Sequence, residues 1–142
     1  MDLPTLGNCV LVEMEDPGRC VTAPDWLVTR GVSSCIAVVV MSDCKKKAWL
    51  IHSHTFGHDA AALKGMLSDA AGTTKGADLR VQVFGGVPAG AGCAEEADLA
   101  RRAVTGTVET LLPKAAASYD WSEVSELQVL AEAQEWRTEV RR

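Results

Sequence analysis

Two residues on either side of a lysine-rich turn carry the first chemical possibility in this chain. Cys35 opens the β-branched run Ile36-Ala37-Val38-Val39-Val40, and His52 closes a second apolar run, Ala48-Trp49-Leu50-Ile51. The polar stretch between them, Ser42 to Lys47, reads as the turn of a β-hairpin. In a symmetric hairpin centred between Asp43 and Cys44, Cys35 and His52 are direct cross-strand partners, with Cβ atoms about 4.5–5.5 Å apart. An imidazole nitrogen then reaches the thiol, takes its proton and lowers the cysteine pKa by stabilising the thiolate. Such a pair supplies nucleophile and general acid–base for acyl chemistry. A one-residue slip would send the two side chains to opposite faces, so the idea hinges on register. Spacing alone equally allows Cys35 as a buried filler and His52 as an ordinary core histidine.

A second constellation is His52, His54 and His58. With Cys35 they offer enough nitrogen and sulfur ligands for zinc, which makes a metallohydrolase using Cys35, His52 and His54 a distinct reading. The plainer reading leaves His54 and His58 as solvated residues before a helix. The five cysteines, Cys9, Cys20, Cys35, Cys44 and Cys93, are odd in number and contain no Cys-x-x-Cys pair. That argues against a structural zinc cluster or a disulfide framework, and for free thiols in a reducing cytoplasm. Cys35 is expected to be the most reactive thiol, with Cys9 shielded in its strand. Cys44, beside Lys45, Lys46 and Lys47, is its competitor.

The elements that must position these groups are strands first. Strands are expected over Cys9–Met14, ended by Pro17-Gly18, then Trp26–Thr29, Cys35–Met41, Ala48–His52 and Leu79–Phe84. A helix is expected over Asp59–Ala71, with Leu63, Met66, Leu67 and Ala70 on its buried face and Gly72 as a left-handed stop. A second, Glu95–Leu112, would bury Leu99, Ala103, Thr107 and Leu111 and end at Pro113. In the tail, Asp120 and Glu123 resemble a capping box, and Val124, Leu127 and Leu130 fit a helix, an edge strand being the alternative. Strands and helices mix without regular alternation, so the fold class is α+β in one domain over residues 1–142.

The stretch Thr29-Arg30-Gly31-Val32-Ser33-Ser34-Cys35-Ile36-Ala37-Val38 resembles the signature of the CheD family of chemoreceptor glutamine deamidases. In that family a Thr precedes a Gly-x-Gly-Ser-Cys-x-Ala-Val run whose Cys is the nucleophile. His52 stands at the family's Cys-to-His interval, and Phe84-Gly85-Gly86 matches its Phe-Gly-Gly element. The resemblance covers roughly residues 19 to 110 and implies a CheD-like cysteine hydrolase fold, a layered mixed β-sandwich core flanked by helices. It implies deamidation of protein glutamine side chains, with Cys35 as nucleophile, His52 as acid–base and Thr29 orienting His52. Ser34, Gly85 and Gly86 become oxyanion or substrate-binding positions. It also implies a chemoreceptor-like protein substrate in chemotaxis, a CheC-type phosphatase partner and no cofactor. Ser33 in place of the family's second glycine motivates a third reading, a non-catalytic interaction module on the same fold.

Composition bounds these readings. The 142 residues are 47% hydrophobic and 23% charged, which is ordinary globular composition. The net charge of −5 comes without a basic block, so nucleic acid is a poor partner. The Gly85–Gly92 loop lacks the Lys-Ser/Thr of a phosphate-binding loop. No apolar run reaches the roughly 18 residues needed to cross a bilayer. Met1-Asp2-Leu3-Pro4 lacks the basic start of a secretory signal, so a cytoplasmic enzyme is expected.

Overall fold

The computed structural model describes residues 7–57, 60–133 and 135–142. The Met1-to-Pro4 reading and the placement of His58 and Asp59 lie outside the described residues. The chain forms β1 (Cys9–Leu11), β2 (Arg19–Thr22), β3 (Trp26–Val32), β4 (Ile36–Ser42), β5 (Lys47–Ser53), α1 (Ala61–Thr73), β6 (Leu79–Gly85), α2 (Ala94–Leu111), β7 (Ala116–Asp120), β8 (Val124–Glu132) and β9 (Glu135–Arg141). The strands make two mixed sheets, β1-β3-β8-β9 and β2-β5-β4-β6-β7, so the class is α+β. The pairs β1–β3 and β6–β7 are parallel; the other neighbours are antiparallel.

Alternation along β4 builds both cores. Ala37, Val39 and Met41 point between the sheets, where they meet Leu27, Leu50, Leu127 and Trp136. Ile36, Val38 and Val40 point the other way, onto Leu63, Leu67, Val104 and Val108 of the helices. A strand buried on both faces accounts for its unbroken apolar sequence. The result is three layers: sheet, sheet, helices. No described helix is long and apolar enough to cross a membrane.

Several elements depart from expectation. β1 stops at Leu11, and Glu13 to Asp16 form a turn in which the Asp16 carboxylate accepts from the Glu13 N–H at 3.0 Å. Helix α1 buries Leu63, Met66, Leu67 and Ala70 as anticipated, but runs through Gly72 to Thr73. Helix α2 buries Val104 and Val108, and Leu99 is half exposed, so the expected stripe is wrong by about one position. The tail is a β-hairpin, not a helix. Asp120 ends β7 and accepts the Ser122 hydroxyl at 2.6 Å instead of capping a helix.

Candidate active site

Cys35 and His52 are not direct cross-strand partners. Ser42 pairs with Lys47, and Ala37, not Cys35, lies opposite His52. The cause is the turn, which holds four residues, Asp43 to Lys46, with Lys46 in the left-handed region. Its position is pinned from outside the hairpin. The Asp43 carboxylate accepts from Arg80 at 2.9 Å and from the Trp136 N–H at 2.8 Å. The pairing is therefore displaced by two residues from the symmetric expectation. Cys35 lies in the bend just before β4, outside the paired ladder, which begins with Ile36 opposite Ser53.

His52 is buried, and its tautomer follows from its neighbours. The wholly buried Thr29 hydroxyl donates to the Val12 carbonyl at 2.6 Å. That uses its one proton, so toward His52 Nδ1, 2.8 Å away, it acts as acceptor. Nδ1 therefore carries the imidazole proton and Nε2 carries the lone pair. Nε2 is buried and has no hydrogen-bond partner among the described residues. A buried polar atom without a partner costs stability, and such atoms are commonly kept for chemistry. Burial holds His52 below its ordinary pKa of 6.5, against the pull of the Glu15 carboxylate, so the ring rests neutral.

Cys35 lies just before β4, buried, and its thiol donates to the Met14 thioether at 3.1 Å. Burial and then the Glu15 carboxylate push its pKa above 9.0, while the Ser34 hydroxyl beside it works the other way. The expected depressed pKa is thus not found. The resting pair is thiol and neutral imidazole, because a buried site next to a carboxylate disfavours the thiolate. Cys44 is the exposed thiol with a lowered pKa, caused first by hydrogen bonds with Thr74 and Ser42 and only last by Lys45. Cys9, expected to be shielded, is exposed.

No protein-family model matches the chain. No curated protein matches it either. Among solved structures it is similar to the hypothetical protein YfiH of Bacillus licheniformis, with 17% sequence identity and a TM-score of 0.43. That match covers 75% of this chain and 50% of YfiH, so the chain spans half the length of that protein.

Gly85 and Gly86 sit against the Cys35 main chain. The Gly86 N–H donates to the Cys35 carbonyl at 2.9 Å, and its own carbonyl accepts from Arg101 at 2.8 Å. Both main-chain groups of Gly86 thus brace the loop. Gly85 adopts φ +98°, and a Cβ there would lie 2.2 Å from the Cys35 carbonyl oxygen. Ser34 lines a cleft of about 240 Å³ with His54, Val87 and, from the start of α2, Cys93, Glu96 and Ala97. No turn or loop hydrogen bond of the described residues uses the main-chain N–H of Ser34 or Cys35.

Among the described residues the zinc constellation does not assemble, and His58 lies outside them. His52 Nδ1 is engaged by Thr29, and His54 is exposed with Nδ1 3.0 Å from a Glu15 oxygen. The described residues contain no group of three or more His, Cys, Asp or Glu side chains able to hold a metal. Val12, Met14 and Glu15 are the site residues that sequence reasoning missed. The Glu15 N–H donates to the His52 carbonyl at 2.8 Å, and its carboxylate accepts from Ser53 Oγ at 2.7 Å and the His54 N–H at 2.8 Å. Burial opposes ionisation of Glu15, but those two bonds bring its pKa below the ordinary carboxylate value.

Proposed function

We propose that this chain is a cysteine-dependent amidohydrolase that deamidates glutamine side chains of a protein substrate, on a CheD-like fold. One observation carries the reading. The Val12–Thr29–His52 relay fixes the His52 tautomer and leaves a buried, deprotonated Nε2 with no hydrogen-bond partner among the described residues, and the segment that carries Val12 also sets Met14 against Cys35. A threonine that fixes the histidine tautomer is also what the resemblance to glutamine deamidases assigns to Thr29.

In this reading Nε2 takes the Cys35 proton as Sγ attacks the carboxamide carbon, so no resting thiolate is needed. The N–H groups of Ser34 and Cys35 hold the oxyanion. His52 returns the proton to the leaving ammonia. It then deprotonates a water that cleaves the thioester, giving glutamate and the free thiol. The chemoreceptor-like substrate, the CheC-type partner and the cytoplasmic setting belong to the same proposal and rest on the resemblance.

The test is intact-mass analysis of a glutamine-bearing chemoreceptor helical fragment and of denatured casein after incubation with the protein. Each deamidated site gains about one mass unit, NH₂ being exchanged for OH. The gain is expected with the native chain and absent with Cys35→Ala. A gain that persists in Cys35→Ala, or none with either substrate, contradicts the proposal.

A further inference from the structure

We propose that Met14 is a built-in substrate mimic, and that the site admits an unbranched glutamine side chain along the path Met14 now fills. The inference rests on the glutamine-deamidase reading. Methionine and glutamine share the skeleton Cβ–Cγ–δ; the δ atom is the sulfur in one and the carboxamide carbon in the other. Met14 Sδ stands 3.1 Å from Cys35 Sγ. That is within the roughly 3–3.5 Å at which reacting atoms are poised for attack. The thioether therefore occupies the place of the electrophilic carbon, yet has no leaving group, so the contact persists.

Met14 is not a core residue. It is 50% exposed, while the thiol beneath it is buried. Its position is imposed by the residues on both sides. Val12 is fixed by its N–H to the Val28 carbonyl at 2.8 Å and by the Thr29 hydroxyl on its carbonyl. Glu15 adopts φ +70° and is tied to His52, Ser53 and His54. A left-handed non-glycine residue is strained and persists only where its surroundings over-determine it. The strap thus touches each member of the catalytic set: Val12 on Thr29, Met14 on Cys35, Glu15 on His52. A substrate must displace Met14 and can reuse the geometry that holds it.

The decisive variant is Met14→Gln, which offers the nucleophile a glutamine in place of the mimic. The Sγ–Cδ bond forms and the Cδ–Nε2 bond breaks. Ammonia leaves with the thiol proton delivered by His52, and water hydrolyses the thioester to glutamate. Peptide mapping by mass spectrometry should find residue 14 as glutamate, about one mass unit heavier, and still as glutamine in Met14→Gln combined with Cys35→Ala. Independently of that reaction, Met14→Ala should raise the iodoacetamide labelling of Cys35 about tenfold, through access and loss of the thioether acceptor, and leave Cys44 unchanged. An unchanged Cys35 rate overturns the proposal. So does an unconverted Gln at position 14 when Met14→Ala deamidates casein, an outcome that leaves the deamidase reading intact. Failure of both Met14→Gln and Met14→Ala to deamidate anything removes that reading and the mimic with it.

Discussion

Thr29 has no reactivity of its own, yet it decides which nitrogen of His52 can act as a base. Its single proton is committed to Val12, so the ring must donate from Nδ1. Thr29→Val keeps the shape and deletes both bonds, leaving the Val12 carbonyl and the ring nitrogen unpaired in a buried site. The expected cost is about 1–3 kcal/mol in urea unfolding, together with loss of deamidase activity, whereas Thr29→Ser should retain activity. Full activity in Thr29→Val would remove the orienting role. The pairing of Thr29 with His52 was legible through family resemblance, on an interval of residues. Met14 and Glu15 were not legible, because nothing local marks them. They reach the site through the parallel pairing of β1 with β3, a contact between strands that are not hairpin neighbours.

At the scale of elements, register and phase decide what the sequence reveals. The hairpin of β4 and β5 was legible from its β-branched runs, but its turn is placed by Arg80 and Trp136, which no hairpin rule contains. The tail shows the opposite failure. Val124 and Leu127 are both buried, three residues apart, which imitates helical spacing. In β8 the spacing arises from a break of phase matched in β3, where Thr29 and Val32 both face inward and Gly31 between them has φ +68°. The buried stripe of α1 was legible because it has no such break. Two glycines separate backbone freedom from close approach. A Cβ at Gly31 meets nothing within 4 Å, so Gly31→Ala should cost only the left-handed penalty, about 1–2 kcal/mol. A Cβ at Gly85 collides with the Cys35 carbonyl, so Gly85→Ala should destabilise more and also slow Cys35 labelling in the Met14→Ala chain. Equal unfolding midpoints for the two variants would contradict that distinction.

The whole molecule makes the site by bringing two sheets together. Thr29 comes from the four-stranded sheet, and His52 from the five-stranded one. The packing that buries His52 also links it to pH. Its folded pKa lies below 6.5, so under that pH the unfolded chain binds the extra proton. Stability contributed by the neutral ring is therefore full above pH 6.5 and is lost as pH falls toward the folded value. His52→Asn keeps a donor for Thr29 and has no titrating group. It should flatten this part of the decline in urea midpoints between pH 7.5 and 5, and an unchanged slope would contradict the assignment. The same variant gives the most direct measurement of the central claim, that Cys35 and His52 form one nucleophilic unit. In the Met14→Ala chain at neutral pH, site-resolved mass spectrometry reads the iodoacetamide rates of Cys35 and Cys44 together. Adding His52→Asn should slow Cys35 about tenfold, because the thiol loses its proton acceptor, and leave Cys44 as it was. A Cys35 rate that does not respond to His52→Asn would contradict the account.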